Sequence, residues 1–211
     1  MSLLLNIRIL SYWHAGTGVG QSGGMDALCL RDDDGLPMLP GKHLRGLLRQ
    51  ALSHYTMCRP SQISADQLFG TRREGIDTPR FEGNPTFPDP EMEETEGGVL
   101  RVDTARLRAA DRLAVLGQEN DLAPLLFDVR RATAIGRDGV AKPHSLRAKE
   151  IALPVTLEAL VTAIGPAPNG WENALKNALP LVRAVGGGRT RGLGRCIVTA
   201  QIDCDAVVAD A

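Results

Sequence analysis

The chain of 211 residues carries 24 Lys and Arg against 25 Asp and Glu, a net charge of −1, and is 43% hydrophobic. That balance excludes a disordered or uniformly basic polypeptide and fits one folded domain with a real core. No apolar run approaches the ~18 residues of a membrane span, and the start MSLLLNIRILSYW has neither a basic n-region nor a small-residue cleavage site.

In chain order, LLLNIRILSYW (3–13) alternates and holds Ile7 and Ile9, which predicts a first strand. The glycine-rich stretch 15–24 follows. Residues 25–40 read as two short extended pieces joined by a turn at Asp33-Asp34-Gly35. Leu44, Leu47, Leu48, Ala51 and Leu52 fall at helical spacing and predict a helix over 42–57, with Arg45 and Arg49 together on another face. Residues 70–98, rich in proline and glycine and carrying Glu91, Glu93, Glu94 and Glu96, read as an irregular acidic insertion. Extended or mixed segments are expected near 99–104 and 111–116. Residues 130–154, with a Gly-Arg-Asp-Gly turn between basic stretches, read as a projecting hairpin arm. A strand at 155–164, an amphipathic helix at 171–185 kinked by Pro180, and a last strand at 195–203 complete the order. Without the insertions this is the βαββαβ plan of a ferredoxin-like α+β fold, here a single domain.

Cys29, Cys58, Cys196 and Cys204 form no CxxC pair and no zinc-like spacing with the four histidines. They read as free thiols in a reducing compartment, which predicts a cytoplasmic protein. Gly18-Val19-Gly20-Gln21-Ser22-Gly23 matches GxGxxG, but the strand-like MDALCLRDDDG follows where a dinucleotide site needs a helix. A loop that passes close to another backbone is the better reading of those glycines.

The neutral sum hides segregated charge. Residues 42–65 hold Lys42, Arg45, Arg49 and Arg59 without an acid, 183–195 hold four arginines without an acid, and 82–98 hold six acids without a base. The stretch GGGRTRGLGR (186–195) combines glycines, whose backbone can approach phosphates, with Arg189, Arg191 and Arg195 as forked donors. The alternative is a glycine-rich connection with its arginines in solvent. Aromatic residues are only 4% of the chain and no RNP1-like motif occurs, so any RNA contact rests on loops and phosphates rather than on a stacking sheet.

Four segments in order resemble RAMP-superfamily CRISPR proteins. LPMLPGKHLRGLLRQAL (36–52) resembles their "PG-S-x-L-K-G-x-x-R" helix start, Gln67-Leu68-Phe69-Gly70 the LFG that follows, and VGGGRTRGLGRC (185–196) their C-terminal glycine signature. HAGTGVGQSGGMDALCLRDDDGLPMLPG is similar to the start of one subgroup, the repeated backbone subunit of type III effector complexes. His43 stands where serine is commoner. The resemblance implies a modified RRM-like core that coats guide RNA in a filament, and a thumb hairpin that wedges into the guide–target duplex. Asp26 matches the aspartate that cleaves target RNA, with a divalent cation such as Mg2+ as cofactor and no metal ligands assigned. His14, Lys42, His43, Arg45 and Arg49 then join the RNA-binding set, with Gly187, Gly188, Arg189, Arg191, Gly192 and Gly194 of the glycine loop. Residues 130–150 occupy the thumb's position, which adds Arg130, Arg131 and Arg137. The implied partners are CRISPR RNA, complementary target RNA, further copies of the chain and other effector subunits, with no membrane. A loop-capping role for Asp26 stays open, as do a non-cleaving subunit that binds guide or caps the filament and a ferredoxin-like protein-interaction module.

Overall fold

A computed structural model of the chain describes residues 2–20, 24–59, 63–71, 97–117 and 121–203. Along it run β1 (Ser2–Ile9), α1 (Gly41–Cys58), α2 (Ala65–Phe69), β2 (Leu100–Val102), β3 (Arg106–Leu107), α3 (Ala109–Leu116), β4 (Phe127–Ala132), β5 (Arg147–Ala152), β6 (Thr156–Ala163), α4 (Trp171–Ala178) and β7 (Cys196–Asp203). The main sheet has the order β2-β6-β1-β7, all neighbours antiparallel, with β3 also against β6. Counting β1, β2, β6 and β7 as the four strands and α1 and α4 as the two helices, this is the ferredoxin-like arrangement.

Period-2 alternation turns Leu3, Leu5, Ile7 and Ile9 of β1 to one face, where they are buried with Leu157, Ala159 and Val161 of β6. The helices cover that face. Leu44, Leu48 and Leu52 of α1 lie on one stripe and pack with Leu175 and Ala178 of α4 in the same core.

Several elements differ from the sequence reading for local reasons. The α4 helix ends at Ala178 rather than running to 185, and a 3-10 turn takes over at Leu179–Leu181. Pro180 has no N–H to donate and stops the helix instead of kinking it. Residues 109–116 form a helix, where mixed or extended chain was expected; Arg108 and Asp111 pair across its first turn. The short α2 carries a capping box, Ser64 accepting from the Gln67 amide while the Gln67 side chain accepts from Ser64 N–H. Most of the acidic stretch expected as an insertion, residues 72–96, lies outside the described residues; Gly70 and Gly97 are bridged at its two ends.

The second sheet is the hairpin β4–β5, in register from Phe127↔Ala152 to Ala132↔Arg147. Its attachment to the core runs through the segment after β1, which leaves the main sheet at Leu10. Trp13 exchanges backbone hydrogen bonds with Ala152 (3.0 and 2.7 Å), and its indole donates to Leu153 O at 2.9 Å. The ring is 1% exposed. Trp13→Ala is expected to cost about 3–5 kcal/mol of unfolding free energy in urea titrations. Leu113→Ala, at a side chain 73% exposed, is expected to stay within about 0.5 kcal/mol.

Candidate nucleic-acid interface

The glycine-rich stretch folds across the segment Tyr12–His14. Gly194 N–H donates to Tyr12 O (2.8 Å) and Gly187 N–H to His14 O (2.7 Å), while Val185 N–H closes the loop onto Gly194 O (2.8 Å). Two glycines are required by this crossing. Gly186 (φ 75°) and Gly194 (φ 71°) adopt the left-handed region, and a Cβ on them would overlap His14 O and Val185 O respectively. The amides of Gly187, Gly192 and Gly194 are therefore engaged within the chain. Among the described residues, those of Gly188, Arg189 and Thr190 have no backbone acceptor. The loop presents these three donors, together with Arg189 and Arg191, at a 3-10 turn (Arg189–Arg191).

Charge pairing divides the molecule. Arg101, Arg106, Arg108 and Arg112 all pair with aspartates. Of the eight arginines between residues 130 and 195, none has an acidic partner among the described residues. Arg130, Arg131 and Arg137 of the hairpin and Arg189 and Arg191 of the loop belong to this unneutralised set, and all five are exposed. Lys149, absent from the sequence-derived set, joins it: it sits directly opposite Arg130 in the β4–β5 register. Its ammonium is pushed below the usual lysine range by burial, and further by Arg191 and Arg130. Hairpin and glycine loop thus meet at a cluster of like charges beside His14. A lysine within an otherwise ordinary strand gave no sequence signal; only strand register reveals its neighbours.

The α1 residues behave differently. His43 Nε2 accepts the Gly186 amide at 3.0 Å, tying the helix start to the glycine loop. His14 is buried, and its Nδ1–H donates to Glu150 O at 2.7 Å. Lys42, Arg45 and Arg49 line a separate recess of about 340 Å³ with Phe69, Gly70, Gly97 and Gly98. There Arg45 donates to Phe69 O and Arg49 pairs with Asp66, so Lys42 is the one of the three without a protein acceptor among the described residues.

Asp26 stands exposed beside β5, next to the Ala132↔Arg147 end of the ladder. Its N–H donates to Ala148 O (2.8 Å) and its Oδ2 accepts from Ala148 N–H (2.7 Å). Two residues on, Glu150 N–H donates to Ala27 O, and the buried Glu150 carboxylate accepts from Cys29 N–H (2.8 Å) and Arg31 (2.7 Å). Arg31 also lies 3.6 Å over the Phe127 ring. The Asp26 loop is thereby bonded along β5. Gly20 passes against the carbonyls of Met25 and Asp26, in keeping with a loop that must approach another backbone. Asp32 is unavailable for chemistry, its side chain 1% exposed and held by Arg106, Arg112 and the amides of Asp34 and Leu36. Cys29 lies 3.4 Å from His14 Nδ1, but burial and then Glu150 push its thiol up to about 12, so the pair is no nucleophile and base. Among the described residues no group of three His, Cys, Asp or Glu side chains is arranged to hold a metal ion.

The family model described as the RAMP superfamily matches residues 6–197. Among solved structures, a chain of the cryo-EM structure of the type III-B Cmr-beta bound to cognate target RNA superposes with a TM-score of 0.65 at 12% identity, over 95% of this chain and 97% of that one. A chain of type III-B Cmr-beta in the apo state gives 0.64 at 12% identity, over 96% and 98%. At such identity the likeness speaks for the fold. No curated protein matches the sequence.

The two loop-anchoring histidines generate a pH dependence. Burial lowers both below 6.5, helped at His43 by Arg189. Unfolded histidines take up protons near pH 6.5 while the folded ones do not, so their contribution to stability is complete above that pH and is lost as pH falls below it. Protonating His43 at Nε2 also removes the acceptor for Gly186. Urea unfolding is expected to give lower stability at about pH 5.5 than at about pH 7.5, with a smaller difference in His43→Gln.

Proposed function

The chain belongs to the RAMP superfamily, and we propose that it is a guide-RNA-binding backbone subunit of a type III CRISPR effector that cleaves the complementary target RNA. One observation carries this reading: Arg130 of the hairpin and Arg191 of the glycine loop converge on Lys149, and none of the three has an acidic partner among the described residues. Cations left unneutralised along two adjoining elements suit a polyphosphate backbone. The partners are CRISPR RNA, target RNA, further copies of this chain and other effector subunits, in the cytoplasm.

For cleavage, the RNA brings its own nucleophile. Asp26, with Oδ2 bonded to Ala148 N–H, has Oδ1 free of protein partners among the described residues. Oδ1 takes the proton of a 2′-OH as that oxygen attacks the adjoining phosphorus. The P–O5′ bond breaks, leaving a cyclic phosphate and a 5′-hydroxyl whose proton comes from water. The hairpin beside which Asp26 stands would hold the strand in line. A divalent cation belongs to the expectation from the family. Among the described residues the donor set around Asp26 is one carboxylate oxygen, which does not fit a cation held by protein alone.

A second reading, a subunit that binds guide without cutting, is favoured by the same bond between Asp26 and Ala148, because it gives the carboxylate a structural task. Asp26→Asn separates the two: the amide oxygen still accepts from Ala148 while the base is gone. In assembled complexes a cleaving subunit is expected to lose about 10²–10⁴ in target-cleavage rate with RNA affinity within a few-fold. Unchanged cleavage would assign Asp26 to loop anchoring.

Affinity for single-stranded RNA is expected to fall with salt at a log–log slope near −0.7 per phosphate contacted. Arg191→Ala is expected to make that slope shallower by about one contact. A flat salt response in filter binding would remove the electrostatic basis of the reading.

A further inference from the structure

A groove of about 360 Å³ runs between one stripe of α1 and residues 181–190. We propose that it seats a single unpaired nucleobase of the bound RNA; the proposal rests on the RNA-binding reading above and adds a base subsite to it.

The composition of the groove selects its occupant. The residues contributed by α1 are Leu47, Gln50, Ala51 and His54, at positions i, i+3, i+4 and i+7. Leu47 and Ala51 are buried, and with Val182 from the opposite wall they make an apolar floor. A phosphate has no use for such a floor, whereas the flat face of a base does. The remaining wall supplies Arg183, Arg189 and Thr190. Both arginines lack an acidic partner among the described residues and no carboxylate lines the groove, so the occupant is anionic or carries an anion, which disfavours a basic or neutral peptide.

Gln50 and His54 fit a base in particular. Both are exposed on the helix surface. The ring of His54, unlike those of His14 and His43, has no hydrogen-bond partner among the described residues, so it is free to stack. Among the residues that line the groove, His54 carries the one aromatic ring. The Gln50 amide offers both a donor and an acceptor to a base edge. Position agrees with chemistry. Arg189 lines the groove, and Arg191 in the same 3-10 turn lies close enough to Lys149 to lower its pKa. A strand with its phosphate at that turn can therefore turn one base into the groove while its backbone continues toward the hairpin.

The test uses the full chain and short single-stranded RNAs, with one base-free ribose moved through successive positions. His54→Ala and Gln50→Ala, both at exposed helix positions, are expected to keep the wild-type circular dichroism and melting temperature. His54→Ala is expected to weaken binding of intact RNA about five- to a hundredfold at fixed salt, the range of one base stack, with an unchanged salt slope and rescue by His54→Phe. One position of the base-free scan is expected to cost the wild type a similar factor and the His54→Ala protein nothing further. Intact RNA bound equally by wild type and His54→Ala, or a flat base-free scan, would overturn the base subsite while leaving the phosphate interface standing. Loss of self-association in His54→Ala with RNA affinity unchanged would overturn it in favour of a second protein copy in the groove. A wild-type chain that binds no RNA would overturn the interface itself.

Discussion

The three residues Tyr12–His14 hold the molecule together, because an extended chain offers its hydrogen bonds alternately to either side. Tyr12 O and His14 O turn to the glycine loop, accepting from Gly194 and Gly187, while Trp13 N and O turn to Ala152 of β5. The glycine loop and the hairpin, which carry the candidate chemistry, are thus docked onto one short segment, one on each edge. The Trp13 side chain fixes the segment by its burial and its bond to Leu153 O. The consequences spread outward in order. The glycine loop must cross closely enough to demand glycine at 186 and 194, β5 must lie alongside, and the loop bearing Asp26 then continues along the same edge of β5 through Ala148 and Glu150.

This crossing changes what the glycines are for. Their density suggests backbone amides free to meet phosphate, yet most of those amides close hydrogen bonds within the chain, and the left-handed conformations serve the path of the loop. What remains for a ligand is narrower: three amides at Gly188–Thr190 and the arginines lifted beside them. The loop is rigidly built and its charge is carried by side chains. That division suits an interface that must hold a strand in a fixed course without reading its sequence.

How much was legible in the sequence follows from which forces are local. The α1 periodicity, the alternation of β1 and the turn at Gly136–Gly139 are nearest-neighbour patterns; the helix and the turn stand where the patterns put them, while β1 ends at Ile9 and not at 13, because the chain turns to β5 at Trp13. The helix α4 is shorter than its apolar spacing predicts, because that spacing continues past Pro180 while the backbone cannot. The capping box at Ser64 and Gln67 is likewise a local pattern. Lys149 and Glu150 were beyond reach: one becomes part of a cationic cluster and the other a buried anchor only through the pairing of β5 with β4 on one edge and residues 26–27 on the other. The basic segment 42–65 shows the converse failure. Arg45 and Arg49 looked free because their acceptors, Phe69 O and Asp66, come from beyond it.

The unpaired charge is the feature that the fold alone does not account for. Like charges directly opposite on antiparallel strands are unfavourable, by a few tenths to about 1 kcal/mol, and Arg130↔Lys149 is such a pair with Arg191 close by. Elsewhere the chain neutralises its arginines readily: Asp32 alone accepts two of them. Carboxylates are not scarce, with 25 in the sequence, and the hairpin's own Glu150 is engaged by Arg31 and Cys29 N–H, so the lack of an acidic partner for these arginines among the described residues is a matter of placement. A bound polyanion would relieve the repulsion as it binds, which makes the apo cluster strained in the direction that favours association. It would also raise the Lys149 pKa toward its ordinary range, since the cations that depress it would be screened. On the proposed reading RNA serves as the counter-ion that the sequence leaves out, and the arrangement of hairpin and loop is completed by the ligand rather than by the chain.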